Sequence, residues 1–357
     1  MKRDIRIVFM GTPDFAVGVL RALVESGTTI VGVITAPDRP KGRGRSLQAS
    51  AVKKYALSQN ISVLQPTNLK NEDFLDALKA LNATLQIVVA FRMLPKVVWQ
   101  LPALGTFNLH ASLLPKYRGA APINWAIINK EKVTGVTTFF IDEKIDTGEI
   151  ILSKEVPISK KETVGSLHDT LMEVGSKLVV QTVALIQEDT ITTQAQPKGP
   201  DFEALQLKEA PKLNPKNTYI DWTSTADTID HFVRGLNPYP GAWTYMKKGE
   251  EKLKVKIYDV SSISNNEVTQ LNFISKDGIV NISEESSIGE IYATKRDVYI
   301  QLEKEVLQIK ELQLPGKRKM LTKDLLNGYE FGLNCKMIVN PYAYCNYKKN
   351  AVYRYAY

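Results

Sequence analysis

Apolar positions recur with two different periods along this chain, and the change of period divides it. Ile5 to Met10 is a mostly apolar run ending at Gly11, and from Asp14 to Ser26 the apolar residues Phe15, Val19, Leu20, Leu23 and Val24 return at helical spacing, with Gly27 placed as a C-terminal cap. Further strands are predicted over Ile30 to Thr35, Leu85 to Ala90 and Gly105 to Leu109, and helices over Ser50 to Gln59, Asn68 to Ala80 and Ala121 to Asn129. Thr137 to Ile141 and Ile150 to Ile158 read as two more strands, and Thr163 to Glu188 as a long helix carrying His168 near its start. Repeated strand and helix units predict an α/β domain with a doubly wound, Rossmann-like parallel sheet over residues 1–193.

The pattern breaks between Gln194 and Pro215, where Pro197, Pro200, Pro211 and Pro215 interrupt any regular element, and a linker is predicted over 194–215. Beyond it lies one amphipathic helix, Ala226 to Leu236, stopped by Asn237-Pro238-Tyr239-Pro240-Gly241. Short strands follow at Leu253 to Tyr258, Val268 to Ile274, Glu290 to Ala293, Val298 to Leu302 and Val306 to Leu312. Short strands with frequent turns predict a small OB-like β-barrel over 216–331, leaving 332–357 as a Tyr- and Lys-rich tail.

Composition narrows the class. No apolar run approaches the roughly 20 residues of a membrane span, and Met1-Lys2-Arg3-Asp4-Ile5 leads directly into a strand rather than a signal core. The two cysteines, Cys335 and Cys345, both fall in the last 23 residues, so no disulfide framework holds the body of the fold, and a cytoplasmic location is expected. The three histidines, His110, His168 and His231, lie far apart without a CxxC or HExxH partner, and no metal is expected. A net charge of +8 implies an anionic partner, with nucleic acid and acidic small molecules both fitting. The charge is concentrated in Arg39, Lys41, Arg43 and Arg45, in Lys317-Arg318-Lys319, and in a tail with four basic residues and no acidic one from Cys335 onward.

Candidate chemistry gathers in the middle of the first domain. Gly11-Thr12-Pro13-Asp14-Phe15-Ala16 occupies the place of a dinucleotide fingerprint but has one glycine where the close approach of a pyrophosphate needs more, so no nicotinamide cofactor is expected. The segment reads either as a turn with Asp14 capping the helix or as a turn that also lines a pocket. Asn108 and His110 are two apart on a predicted strand and share a face at the carboxyl end of the sheet, which raises His110 above the packed histidine that a lone imidazole usually is. Asp146 lies in Asp142-Glu143-Lys144-Ile145-Asp146-Thr147-Gly148, where ordinary turn chemistry is an equal reading. A neutral amide, an imidazole and a carboxylate in one site would supply an oxyanion donor, a proton shuttle and a group that holds the shuttle, as acyl transfer between two nitrogens requires.

Phe107-Asn-Leu-His-Ala-Ser-Leu-Leu-Pro-Lys-Tyr-Arg-Gly119, with Ala120-Ala-Pro-Ile123 and Ile145-Asp-Thr-Gly148, closely resembles the folate-dependent formyltransferase family, and the resemblance covers roughly residues 5 to 331. Pro37-Asp-Arg-Pro-Lys-Gly-Arg-Gly-Arg45, Met10-Gly-Thr-Pro-Asp-Phe15 and the second domain point to those members whose acceptor is a tRNA. The resemblance implies a 10-formyltetrahydrofolate donor, an initiator methionyl-tRNA acceptor, a place in translation initiation and a monomer. It implies Asn108, His110 and Asp146 as the catalytic triplet, and Ser112, Leu113, Leu114 and Pro115 as a folate-binding signature. The loop Val89 to Pro95, with Phe91, Arg92, Met93 and Leu94, falls where the family holds the pterin ring. Arg39, Lys41, Arg43 and Arg45 then form the element that meets the tRNA acceptor end, with Lys317, Arg318 and Lys319 as further contacts. Four cations among prolines and glycines make a mobile, non-helical arm suited to a phosphate backbone, against the alternative of a solvated surface loop.

Two other functions stay open. One is a formyltransferase acting on a small amine, such as an amino sugar nucleotide or glycinamide ribonucleotide. The other is a catalytically silent RNA-binding protein. One departure from the family stands out: its members commonly finish soon after a segment like Leu321 to Asn327, whereas this chain continues to a tail holding six of its 15 tyrosines.

Overall fold

The strands that carry the longest apolar runs form the middle of the first sheet. In the computed structural model, which describes residues 2–41, 46–263, 273–275, 278–280, 287–332 and 335–339, the chain divides into two units. The first holds Met1–Ala126, Glu131–Lys160 and Ser166–Lys212; the second holds Ile127–Lys130, Lys161–Gly165 and the chain from Leu213 onward.

The first unit runs β1 (Ile7–Gly11), α1 (Asp14–Glu25), β2 (Ile30–Ile34), β3 (Arg39–Lys41), β4 (Ser46–Gln48), α2 (Ala51–Ser58), β5 (Val63–Leu64), α3 (Glu72–Ala80) and β6 (Leu85–Val89). It continues through α4 (Lys96–Trp99), β7 (Thr106–His110), α5 (Pro122–Ile128), β8 (Val133–Phe140), β9 (Ile150–Pro157), α6 (Val164–Glu188) and α7 (Pro200–Ala204), with α5 and α6 each straddling the division. The sheet order is β5-β2-β1-β6-β7-β8-β9, parallel from β5 to β7, with β8 and β9 antiparallel. Every residue of β1 and β6 is buried, as strands covered on both faces require. Helix α1 buries Phe15, Ala16, Val19, Leu20 and Leu23 on one face. Strand order runs from β1 to β2 on one side and from β1 to β6 on the other, and a crevice opens at such a reversal beyond the carboxyl ends.

Two stretches differ from the sequence pattern. Strand β8 begins at Val133, four residues before the predicted start at Thr137, because Val133 to Val136 pair with Lys154 to Pro157 of β9, and its polar positions further on are satisfied inside the fold. Thr137 donates to the Ser112 carbonyl at 2.7 Å, and the hydroxyls of Thr138 and Thr182 meet at 2.9 Å. The predicted linker is largely a strap bonded along the first unit. Gln194 pairs with Ile150, Ala210 pairs with Gly119, and the first unit ends at Lys212. The residues that make these bonds avoid the prolines, so a proline-rich composition does not free the segment.

The second unit contains α8 (Ala226–Arg234) and β10 (Ala242–Lys248), β11 (Glu251–Ile263), β12 (Phe273–Ser275), β13 (Gly278–Val280), β14 (Ile291–Ala293), β15 (Val298–Gln301), β16 (Val306–Gln313) and β17 (Met320–Leu321). Helix α9 (Thr322–Leu325) and strand β18 (Cys335–Met337) complete it. The antiparallel order β14-β15-β16-β11-β10-β18, with β17 on β16, curls into a nearly closed barrel. A bridge between Glu290 and Lys336 joins its two ends, and the Met337 N–H donates to the Gly289 carbonyl at 2.7 Å. Trp222, Ile257, Ile300, Leu307 and the α8 residues Ile229 and Val233 fill its core. The strand expected at Val268 to Ile274 lies mostly outside the described residues. Strand β18 is a correction to the reading of 332–357 as a tail: Cys335 and Met337 are buried, Lys336 faces outward, and the barrel continues past residue 331. Among the described residues no helix is long and apolar enough to cross a membrane.

Candidate active site

Strand β7 points Asn108 and His110 to one face, and both line a cavity of about 730 Å³. Pro13 and Phe15 enter it from the turn after β1, Ala90 to Leu94 from the loop after β6, and Asp142 to Asp146 from the loop after β8. The structure thus brings together Asn108, His110, Asp146, Phe91, Arg92, Met93 and Leu94.

His110 is 6% exposed, and its Nε2 lies 2.8 Å from the Tyr117 carbonyl. A carbonyl only accepts, so Nε2 carries a proton and the neutral ring has its lone pair on Nδ1. Nδ1 is 3.8 Å from Asp146 Oδ2, beyond hydrogen-bond length. The ring's tautomer is therefore set by the backbone at Tyr117 rather than by the carboxylate. Tyr117 is itself held, with its N–H donating to the Lys208 carbonyl at 2.8 Å and its hydroxyl to Glu131 at 2.6 Å.

Asp146 has φ +54°, and its Oδ2 accepts the Gly119 N–H at 2.9 Å. Gly148 shapes the loop, since a Cβ there would sit 1.7 Å from the Phe140 carbonyl oxygen. At the loop's start Asp142 accepts from the Thr147 hydroxyl at 2.6 Å, the Lys144 N–H at 3.1 Å and Lys198 at 3.0 Å. Burial pushes the Asp142 carboxyl up, but these hydrogen bonds outweigh it and hold the group below the usual carboxylate range. Asn108 Oδ1 is buried with no hydrogen-bond partner among the described residues. Leaving such an atom unmet costs roughly 1–3 kcal/mol, which a ligand donor would recover.

Ser112, Leu113, Leu114 and Pro115, expected at the folate, do not line the cavity. Their turn is tied up internally: the Ser112 hydroxyl donates to the Lys116 carbonyl at 2.7 Å, and the Leu114 N–H to Thr137 at 3.2 Å. Arg92 borders the cavity, but its guanidinium donates to the carbonyls of Thr67, at 2.9 Å, and Pro66, anchoring the loop.

Of the basic arm, Arg39 is exposed on β3, which pairs antiparallel with β4, so the arm's flanks are ordered as a hairpin; Arg43 and Arg45 lie outside the described residues. Arg39 and Lys41 stand opposite Gln48 and Ser46. Lys319 is paired with Glu311 at 2.7 Å, while Lys317 sits 5.7 Å from the Tyr329 ring centre. A second basic face, not among the expected contacts, lies on β10 and β11. Lys247 and Lys252 stand opposite each other on β10 and β11, Lys254 lies 4.0 Å over Trp243, and Lys252 lies 4.0 Å over Tyr245. Its signal was the period-two lysines of Lys252, Lys254 and Lys256. His168, edge-on to Phe15 at 5.3 Å, also borders the cavity and was not singled out.

A model of the formyl transferase family matches residues 5–183, and a model of the formyl transferase C-terminal domain matches residues 212–330. Methionyl-tRNA formyltransferase of Flavobacterium johnsoniae is 50% identical over 333 residues, 93% of this chain and 99% of that protein. The protein of the same name from Bacteroides thetaiotaomicron is 46% identical over 338 residues, 94% of this chain and 99% of its own. Among solved structures, WlaRD, a sugar 3N-formyl transferase in the presence of dTDP and 5-N-formyl-THF, aligns with a TM-score of 0.58 at 18% identity, over 88% of this chain and all of that one. HypX from Aquifex aeolicus in complex with tetrahydrofolic acid aligns with a TM-score of 0.57 at 16% identity, over 91% of this chain and 47% of its own. At such identities the structural likeness speaks for the fold.

Proposed function

The chain belongs to the formyl transferase family, and from that premise we propose that it transfers the formyl group of 10-formyltetrahydrofolate to the α-amine of methionine on initiator methionyl-tRNA. It does so as a cytoplasmic monomer at the start of translation. The observation that most supports this reading is the meeting in one cavity of His110 Nδ1, the Asp146 carboxylate and an Asn108 amide whose Oδ1 has no protein partner among the described residues.

The α-amine attacks the formyl carbon, a C–N bond forms, and the carbonyl oxygen takes the negative charge. The Asn108 NH₂ donates to that oxygen, an interaction worth roughly 3–4 kcal/mol in the transition state. Its Oδ1 is left to accept a substrate N–H. His110 keeps its Nε2 proton on Tyr117, so the shuttle works through Nδ1: it takes the proton of the attacking amine and returns it to N10 as the C–N10 bond breaks. Asp146 stabilises the imidazolium while that proton is in transit. Phe91, Met93 and Leu94 offer the apolar walls a pterin ring needs.

A tRNA acceptor also gives a use to Arg39 and to the outward lysines of β10 and β11, which a small amine does not. The decisive experiment measures formyl transfer from 10-formyltetrahydrofolate to charged initiator tRNA beside uncharged tRNA and free methionine. Transfer that depends on the charged tRNA supports the reading; transfer to free methionine alone, or none, overturns it.

A further inference from the structure

We infer that Gln196, on the proline-rich strap, is the positioning residue that sets Asp146 against His110; the inference rests on the reading of Asp146 as part of the reacting site. Gln196 is 5% exposed and is not among the residues lining the cavity, so it acts on the reaction through other groups. Its Nε2 donates to the Asp146 carbonyl at 3.1 Å and to the Gly148 carbonyl at 2.7 Å, bridging the two sides of Thr147. Its Oε1 accepts from Arg118 Nη2 at 2.8 Å and Nε at 3.3 Å. A guanidinium only donates, so Oε1 must face Arg118 and the NH₂ group must face the loop. The amide has one orientation.

Arg118 is fixed in turn. It stacks 4.1 Å from the Phe202 ring centre and donates to the Pro197 carbonyl at 3.2 Å. The next residue, Gly119, supplies the N–H that holds the Asp146 carboxylate, and it has φ +124° with no room for a Cβ beside the Ala210 carbonyl. One dipeptide, Arg118-Gly119, therefore reaches Asp146 by two routes: directly at the carboxylate, and through Gln196 at the backbone that carries it. The same strap also meets the histidine side, because the Lys208 carbonyl holds Tyr117, which holds His110. Both partners of the 3.8 Å pair are referred to one segment of chain.

The test is Gln196→Met, which keeps the side chain's reach and removes its hydrogen bonds. The expected result is a fall in kcat of about 10- to 100-fold, since a misplacement of about 1 Å costs on the order of 100-fold. KM for tRNA and for 10-formyltetrahydrofolate should stay within about twofold. Added to Asp146→Asn, the same change should lower kcat by less than about twofold, because its target is already lost. Arg118→Lys, which leaves Gln196 in place, should give a smaller fall of the same kind and carries the test if Gln196→Met does not melt cooperatively. An unchanged kcat, an equal fall in both backgrounds, or failure of both variants to fold would overturn the inference in favour of a general structural role. If the wild-type protein formylates charged tRNA while the variants match it, this inference alone fails; if the wild type does not, the proposed function fails.

Discussion

In the first unit the groups assigned to chemistry face inward, and His110 and Asp146 are held by backbone; on the barrel the groups suited to a polyanion face outward on alternate strand positions. His110, Asp146 and Gly119 are arranged by hydrogen bonds of 2.8 and 2.9 Å, whereas Lys247, Lys252 and Lys254 project from β10 and β11. The first arrangement is sensitive to ångström displacements and acts as a unit. The second is additive and screened by salt. One chain thus uses two physical regimes, and substitutions should separate them.

The largest effects are expected at the cavity. Asn108→Ala, His110→Ala and Asp146→Asn should each lower kcat by about 100-fold or more, with combined losses well short of additive and thermal unfolding preserved. Near-wild-type turnover in a folded variant would remove that residue from the mechanism and blur the contrast. The barrel's interior should be as exacting as the cavity, but for stability. Met337→Ala, at a position 1% exposed, should cost about 2–5 kcal/mol by urea unfolding, while kcat of the folded protein stays near wild type. A negligible cost would mean that β18 is not part of the barrel's core.

The barrel's exterior should behave differently from both. Changing Lys247, Lys252 and Lys254 together to Gln should leave kcat alone, raise KM for tRNA and reduce the slope of log KM against log salt by roughly 2–3, close to one per phosphate contact. An unaltered slope would make this face an ordinary solvated surface and leave Arg39 and its neighbours as the candidate contacts. The smallest effect is expected at Asp142. Its carboxyl is held below its unfolded value near 3.8, so its stabilisation is full above that pH and is lost as pH falls through the depressed folded value. Asp142→Asn should cost about 1 kcal/mol near pH 7, and the gap from wild type should close as pH falls through the depressed folded value; a gap independent of pH would assign the loss to packing.

The fold is legible in the sequence where a period or a spacing is local. The strands at β1, β6 and β7, the helix α1 and the pairing of Asn108 with His110 on one face follow from alternation and helical recurrence alone. What is not legible locally depends on partners distant in sequence. Ser112 to Pro115 carry a motif-like pattern, yet their groups bond Lys116 and Thr137 rather than facing the cavity. Gln196 was hidden in a stretch whose prolines signal irregularity, because nothing local shows that its amide faces a loop 50 residues earlier. Apolar Met337, Ile338 and Val339 leave open whether the tail docks on the barrel or runs on free, because three residues are too few for alternation to stand out; pairing with β10 fixes the place of β18.

The left-handed backbone at Asp146 joins two demands on a single letter of the sequence. With φ +54°, the position favours Gly, Asn and Asp, the residues that enter this region at least cost. Of those three only Asp brings a negative charge to His110. The resemblance of 142–148 to an ordinary turn is thus no rival to the proposed catalytic role: the conformation narrows the alphabet and the proposed reaction chooses within it. A substitution to Asn removes the charge and spares the backbone, whereas Ala disturbs both, so the difference between those two variants reads out how much the shape of the loop matters apart from the carboxylate it presents.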